Sequence, residues 1–236
     1  PNWEECLSEF IALAKSLKFE VFATRTVPVD SLFVGPSARE NEPITIQIFL
    51  KYGDLSTKDL ERKLYVLKKS ASHELTKAYP DFYILSLSCF KIVYKGQLRT
   101  DQLKQYFLDL QDEAFQSTYA IIHSRFSTNT FPKWSLAQPF RFMAHNGEIN
   151  TIRGNVNKMR SKEALLESPY FTKDEIKRLL PICDPSFSDS ANLDELIELL
   201  VMSGRSLPHA IMILIPETWQ YNRSMDEKTK AFYKYN

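Results

Sequence analysis

Glycine is scarce in this sequence, six residues in 236, and none of the six forms G-x-G-x-x-G or a P-loop. That argues against a backbone cradle for nucleotide phosphates. The three cysteines, Cys6, Cys89 and Cys183, are scattered and include no C-x-x-C pair. Neither a zinc site nor a disulfide framework is suggested, and all three read as small buried apolar side chains. The four histidines are too dispersed to suggest a metal site by spacing. Charge of one sign is also missing: 30 lysines and arginines face 29 acids. No strong field therefore points to nucleic acid or to an acidic membrane. No run approaches the roughly 18 apolar residues of a membrane span. The opening PNWEECLSEF lacks the basic start and apolar stretch of a signal peptide. The expectation is a soluble, intracellular protein with no nucleic-acid or membrane partner.

What is present resembles an ordinary globular composition, 44% apolar and 25% charged. The length suits one large domain or two small ones. Trp3, Cys6, Leu7, Phe10, Ile11, Ala14 and Leu17 recur at helical spacing and predict an opening helix. Strands are expected over 18–26 and 44–50, with a long charged helix from Ser56 to Tyr79 capped by Ser56 or Thr57. Further strands are expected at 82–88, 90–94, 118–123, 140–144 and 210–215, the last with a helix as the alternative. Helices are expected at 100–107, 151–160, 173–180 and 191–203, the last with Ser190 as N-cap and Gly204 as its stop. Strands and helices that mix without strict alternation favour an α+β layered domain.

The segment from His123 to Arg160, HSRFSTNTFPKWSLAQPFRFMAHNGEINTIRGNVNKMR, carries the most specific polar chemistry. Asn146-Gly147 after an alternating strand signals a type I′ hairpin turn. The same pair could supply an oxyanion hole, a side-chain amide and a backbone N–H aimed at one oxygen. Both readings can hold together. Arg125, among Ser124, Ser127, Thr128 and Asn129, could be an edge salt bridge or a bidentate clamp on a carboxylate. Asp189 could simply complement a helix dipole or could receive an α-ammonium group.

The run HSRFSTNTFPKWSLAQPFRFMAHNGEINTIRGN closely resembles the glutaminase domain of the glutamate synthase large chain. VPVD at 27–30, IVYKGQL at 92–98, SDSANLDELIELL at 188–200 and SLPHAIMILIPETWQ at 206–220 support it. The resemblance covers nearly the whole chain, and its motifs outside the site argue against a purine or amino-sugar amidotransferase. It implies a class II glutamine amidotransferase, an α+β protein of the N-terminal-nucleophile fold, with an αββα sandwich. It implies that Arg125, helped by Thr128 and Asn129, binds the α-carboxylate of L-glutamine, and that Asp189 takes the α-ammonium. Asn146 and Gly147 become the oxyanion hole, Phe126 a pocket wall, and the loop from Trp134 to Gln138 a lid. Pro185-Ser186-Phe187 departs from the family, which is commonly glycine-rich there.

In this class an N-terminal cysteine attacks the substrate amide with its own α-amino group as base. Cys6 lies inside a predicted helix after Glu4-Glu5, whose charges would raise its thiol pKa, and Cys89 and Cys183 are equally unsuited. The expectation is one partial domain over 1–236, cut at both ends, without its nucleophile and inactive alone. FMN, an iron–sulfur cluster and a contact with a small electron-donor subunit would belong to the remainder of the enzyme. The compartment would be cytoplasmic, or a plastid in a plant or alga. A module of another class, binding glutamine or aiding assembly without catalysis, is the alternative.

Overall fold

The side chain of Asn2 accepts a hydrogen bond from the Glu5 N–H at 3.4 Å, and Glu4 and Glu5 occupy the first helical turn. A polar cap and first-turn acids satisfy the free donors at a helix start, so α1 (Trp3–Ser16) forms where the apolar spacing predicts. The computed structural model describes residues 2–127, 131–145 and 149–235. After α1 come β1 (Glu20–Thr26), α2 (Pro36–Arg39), β2 (Ile46–Lys51), α3 (Thr57–Leu75) and α4 (Thr100–Tyr106). Then follow α5 (Ile152–Lys162), α6 (Lys173–Leu179), α7 (Asp189–Met202), α8 (Leu207–Leu214) and α9 (Glu227–Tyr235).

β1 and β2 pair antiparallel, with Glu20 opposite Lys51, Thr26 opposite Ile46, and an irregularity between Val21 and Ala23. Ser56 caps α3 by accepting the Asp59 N–H at 3.2 Å. Leu64, Leu67, Ala71 and Leu75 of α3 meet Phe10 and Ala14 of α1 in one apolar cluster, completed by the β1–β2 pair. The other side of α3 contributes Tyr65 and Val66 to a second cluster around Leu193, Leu196 and Ile197 of α7. Each fully buried side chain of this kind stabilises by about 1.5–3 kcal/mol relative to exposure. α3 therefore stands between two cores.

The ends of α7 are set by local chemistry. Ser188, not Ser190, is the N-cap and accepts the Ala191 N–H at 3.2 Å. The helix starts two residues earlier than expected because Asp189 complements its positive end and leaves Ser190 free for another contact. Gly204 stops it at φ +92°, and a Cβ there would stand 2.6 Å from the Tyr170 ring. Arg62 of α3 lies 3.9 Å over that ring and donates to the Met202 carbonyl at 2.9 Å, which pins this end to α3.

Helices dominate, and the strands among the described residues are β1 and β2. The expected strands at 82–88 and 90–94 are not formed. Phe82, Ile84 and Leu87 do pack on the first core, but side chains take the neighbouring backbone donors. Glu61 accepts from the Cys89 N–H, Ser88 from Phe90 and Ser86 from Val93. Residues 118–123 form no strand either, and Tyr119, Ile121 and Ile122 are exposed, with no strand beside them among the described residues. Residues 140–144 turn instead of extending: the Phe140 N–H reaches the Met143 carbonyl at 2.9 Å. Residues 210–215 fall mostly in α8, because Ser206 caps the helix and Pro208 suits its first turn. The loop from Trp134 to Gln138 is no free lid. Trp134, Ala137 and Gln138 are buried, Trp134 donates to the Ala38 carbonyl at 2.9 Å, and its ring sits where a Cβ on Gly96 would be, 2.3 Å away.

Candidate functional site

Beneath the polar segment lies a buried ionic layer. Asp194, Glu195 and Glu198 project from α7, and Lys68 and Lys69 face them from α3. Arg141 joins them, 3.1 Å from Asp194 and 3.0 Å from Glu198, with a further pair to Glu195. Burial alone would raise the Glu195 carboxyl, but Lys68, Arg141 and Lys69 hold it well below the usual carboxylate range. Burial would also lower Arg141, and the three carboxylates instead keep it firmly charged. Asp194 is pushed up by burial, although it accepts the backbone N–H groups of Arg141 at 3.2 Å and Phe142 at 2.7 Å. The turn at 140–143 is thereby fastened to α7.

The next residues along this loop are held by neutral groups. The Gln138 carboxamide pairs with both backbone groups of His145, accepting from its N–H and donating to its carbonyl. The same amide nitrogen donates to Ser127 Oγ at 3.2 Å, Ser127 donates to Ser190 Oγ at 2.7 Å, and Ser190 donates to the His145 carbonyl at 3.4 Å. Ser127, Gln138 and Ser190 are all buried. The peptide between Gln138 and Pro139 is cis.

Of the residues expected at a site, Arg125 is exposed, with its backbone N–H donating to His123 Nδ1 at 3.1 Å. Phe126 is half-buried. Asp189 is the first residue of α7 and half-buried. Thr128, Asn129, Asn146 and Gly147 lie outside the described residues. Their described neighbours Ser127 and His145, and Ser190 beside Asp189, are the members of the hydrogen-bond ring. Sequence reasoning missed Gln138 and Ser190 as functional candidates. The sequence did signal the ionic layer beneath them, through three acids, Asp194, Glu195 and Glu198, within the leucine-rich half of α7.

The cysteines are quiet. Burial and Glu9 raise the Cys6 thiol. Burial and the Glu61 hydrogen bond push Cys89 up to about 11, and burial takes Cys183 to about 11. They sit apart, on α1, beside Glu61 and in the α7 core, so they do not fit a shared iron–sulfur centre. Among the described residues no group of three or more His, Cys, Asp or Glu could hold a metal. No helix among them is long and apolar enough to cross a membrane.

A family model described as glutamine amidotransferases class-II matches residues 2–236. The chain is 46% identical over 239 aligned residues to a glutamate synthase [NADH] of Schizosaccharomyces pombe, covering 98% of this chain and 11% of that protein. It is 46% identical over 218 residues to a glutamate synthase [NADPH] large chain of Bacillus subtilis, covering 92% and 14%. A chloroplastic ferredoxin-dependent glutamate synthase of Oryza sativa subsp. japonica is 46% identical over 222 residues, covering 92% and 14%. The chain thus spans between 11% and 14% of the length of these relatives.

Proposed function

This chain belongs to the class-II glutamine amidotransferases, and from that premise we propose that it is the glutamine-handling domain of a glutamate synthase. The observation that carries the reading is the ring of buried Ser127, Gln138 and Ser190 around the half-buried His145. Its members adjoin, in sequence, the three groups an amino-acid amide requires. Arg125 with Thr128 and Asn129 would bind the α-carboxylate, Asp189 the α-ammonium, and Asn146 with the Gly147 N–H the oxyanion.

The nucleophile would be an N-terminal cysteine other than Cys6, Cys89 and Cys183, whose thiols are all held protonated. Its sulfur attacks the side-chain carbonyl carbon of glutamine, the C–N bond breaks, and ammonia leaves with the transferred proton. Water then cleaves the thioester, releasing glutamate and restoring the thiol. The 236 residues would form one domain of an αββα sandwich, and alone would release no ammonia. Ammonia would pass to 2-oxoglutarate in the remainder of the enzyme, where FMN and an iron–sulfur cluster would work. The electron donor stays open, since the relatives' names include NADH, NADPH and ferredoxin. The compartment would be the cytoplasm, or a plastid in a photosynthetic source.

The test is glutamine-dependent ammonia release by the full-length gene product. Asn146→Ala should lower kcat about 10²–10³-fold, the usual loss for one oxyanion donor. Arg125→Ala and Asp189→Ala should chiefly raise KM. Normal turnover in Asn146→Ala, or ammonia release by the 236 residues alone, would overturn the assignment.

A further inference from the structure

Resting on the assignment of Asp189 to the α-ammonium group, we propose that Asn192 is a positioning residue for glutamine recognition. Its carboxamide ties the loop 184–188 to the first turn of α7 and so fixes where the Asp189 carboxylate stands. Asp189 is the first residue of α7 and half-buried. Among the described residues no hydrogen bond or ion pair reaches its carboxylate, so its own contacts do not hold it in place. Its place depends on the junction where extended chain turns into helix. Ser188, at φ −65° and ψ 164°, caps α7 there, and Asp189 follows at once.

Asn192 is the fourth residue of α7, and side chains on a helix lean toward its N-terminus. A carboxamide carries an acceptor and donors side by side, so it can meet an N–H and a C=O of one residue together. The Asn192 oxygen accepts the Asp184 N–H at 3.0 Å, and its nitrogen donates to the Asp184 carbonyl at 2.9 Å. The same nitrogen reaches the Phe187 carbonyl at 3.3 Å and, at 3.4 Å, that of Ser188, whose carbon is bonded to the Asp189 nitrogen. One buried amide thereby spans both ends of the loop, while residues 184–187 are exposed. The other bonds of this stretch stay inside it: Asp184 accepts the Ser186 N–H at 2.7 Å and the Phe187 N–H at 3.1 Å. Among the described residues, every hydrogen bond from 184–187 to α7 goes to Asn192. Without it the loop keeps only its internal bonds, and a helix end with so loose a lead-in frays. The residue displaced first is Asp189.

The test measures ammonia release by the full-length gene product from glutamine and from 4-carbamoylbutanoate, which is glutamine without its α-amino group. Asn192→Ala should raise the KM for glutamine about tenfold, as loss of a hydrogen bond to a charged group does, and leave kcat within about twofold. Its kcat/KM for the analogue should hold within about twofold, so the preference for glutamine falls about tenfold. In an Asp189→Ala background the same substitution should shift the glutamine KM less than about twofold, because the carboxylate it positions is already gone. Equal losses on both substrates, or an unchanged preference, would reduce Asn192 to structural support and leave the glutaminase reading intact. Full preference for glutamine in Asp189→Ala alone would remove Asp189 from its role, and this proposal with it. Should Asn192→Ala fail to fold, Asn192→Asp keeps the size of the side chain and gives up its N–H donors. It should show the same selective loss, and an undiminished preference there would equally overturn the proposal.

Discussion

The two sides of α3 are built on different physics. Toward α1 it presents Leu64, Leu67, Ala71 and Leu75, an apolar seam without a charge. Toward α7 it presents Lys68 and Lys69, which with Arg141 balance Asp194, Glu195 and Glu198, three cations against three carboxylates. The apolar seam is non-directional, so it fixes that the helices pack and leaves room for repacking. A buried ionic layer adds little net stability, because desolvation offsets most of the attraction. What it can add is register. Here it ties α7, which begins with Asp189, to the turn at 140–143 that leads into His145. The comparison yields a hypothesis: one face holds the protein together, and the other sets the site.

Arg141→Met should show the largest effect. It leaves three carboxylates facing two lysines in a dry layer, and breaking such a network costs about 3–5 kcal/mol. Denaturant unfolding would read that loss. The folded fraction should also turn over glutamine more slowly in the full-length gene product, since the turn at 140–143 loses its side-chain ties to α7 and keeps only two backbone bonds to Asp194. Leu67→Ala, in the apolar seam, should cost about 3 kcal/mol through lost burial and the cavity left behind. Its folded fraction should keep a normal kcat. Equal kcat losses in the two variants would erase the distinction between the faces, and a normal kcat in Arg141→Met would reduce its ionic face to structural support.

The same contrast explains what was legible in the sequence. α1, α3 and α7 were visible because their apolar periodicity and caps are local signals: Phe10 and Ala14, Leu64 and Leu67, Leu193 and Leu196 lie at helical spacings. The β1–β2 pair was visible through the alternation of Ile44, Ile46 and Ile48. The segments at 82–94 and 140–144 misled because alternation says which side chains turn inward, not which groups take the backbone bonds. There Glu61, Ser86, Ser88 and Asp194 take them. Of the candidate site, Asp189 was legible as an acid just before a helix and Arg125 as a cation after an apolar run. Thr128, Asn129, Asn146 and Gly147 rest on the family resemblance and fall outside the described residues. Gln138 was not legible, because its partner is a backbone peptide and leaves no trace in residue identities.

Lys95 sharpens the comparison at its smallest expected effect, because among the described residues no carboxylate is bonded to this buried cation. Its Nζ donates to the Ser135 carbonyl at 2.9 Å and lies 4.6 Å from the centre of the Phe140 ring. Burial, aided by the charge of Arg141, pushes its pKa down from 10.5 to about 7, against a weaker pull from Asp194. The sign follows from proton counting. Between pH 7 and 9 an unfolded lysine keeps its proton while the folded one sheds it, so the unfolded state binds more protons and stability rises with pH. Over that window the rise from Lys95 is about 2 kcal/mol. Cys89 and Cys183 act in the opposite sense as pH climbs, since both thiols are raised to about 11. The informative quantity is therefore the difference between the wild type and Lys95→Met in unfolding free energy at pH 7, 8 and 9. That difference should move toward the wild type by about 2 kcal/mol across the series. A flat difference would mean that Lys95 stays charged when folded, with the Ser135 carbonyl and the Phe140 ring doing for one lysine what three carboxylates do for Arg141.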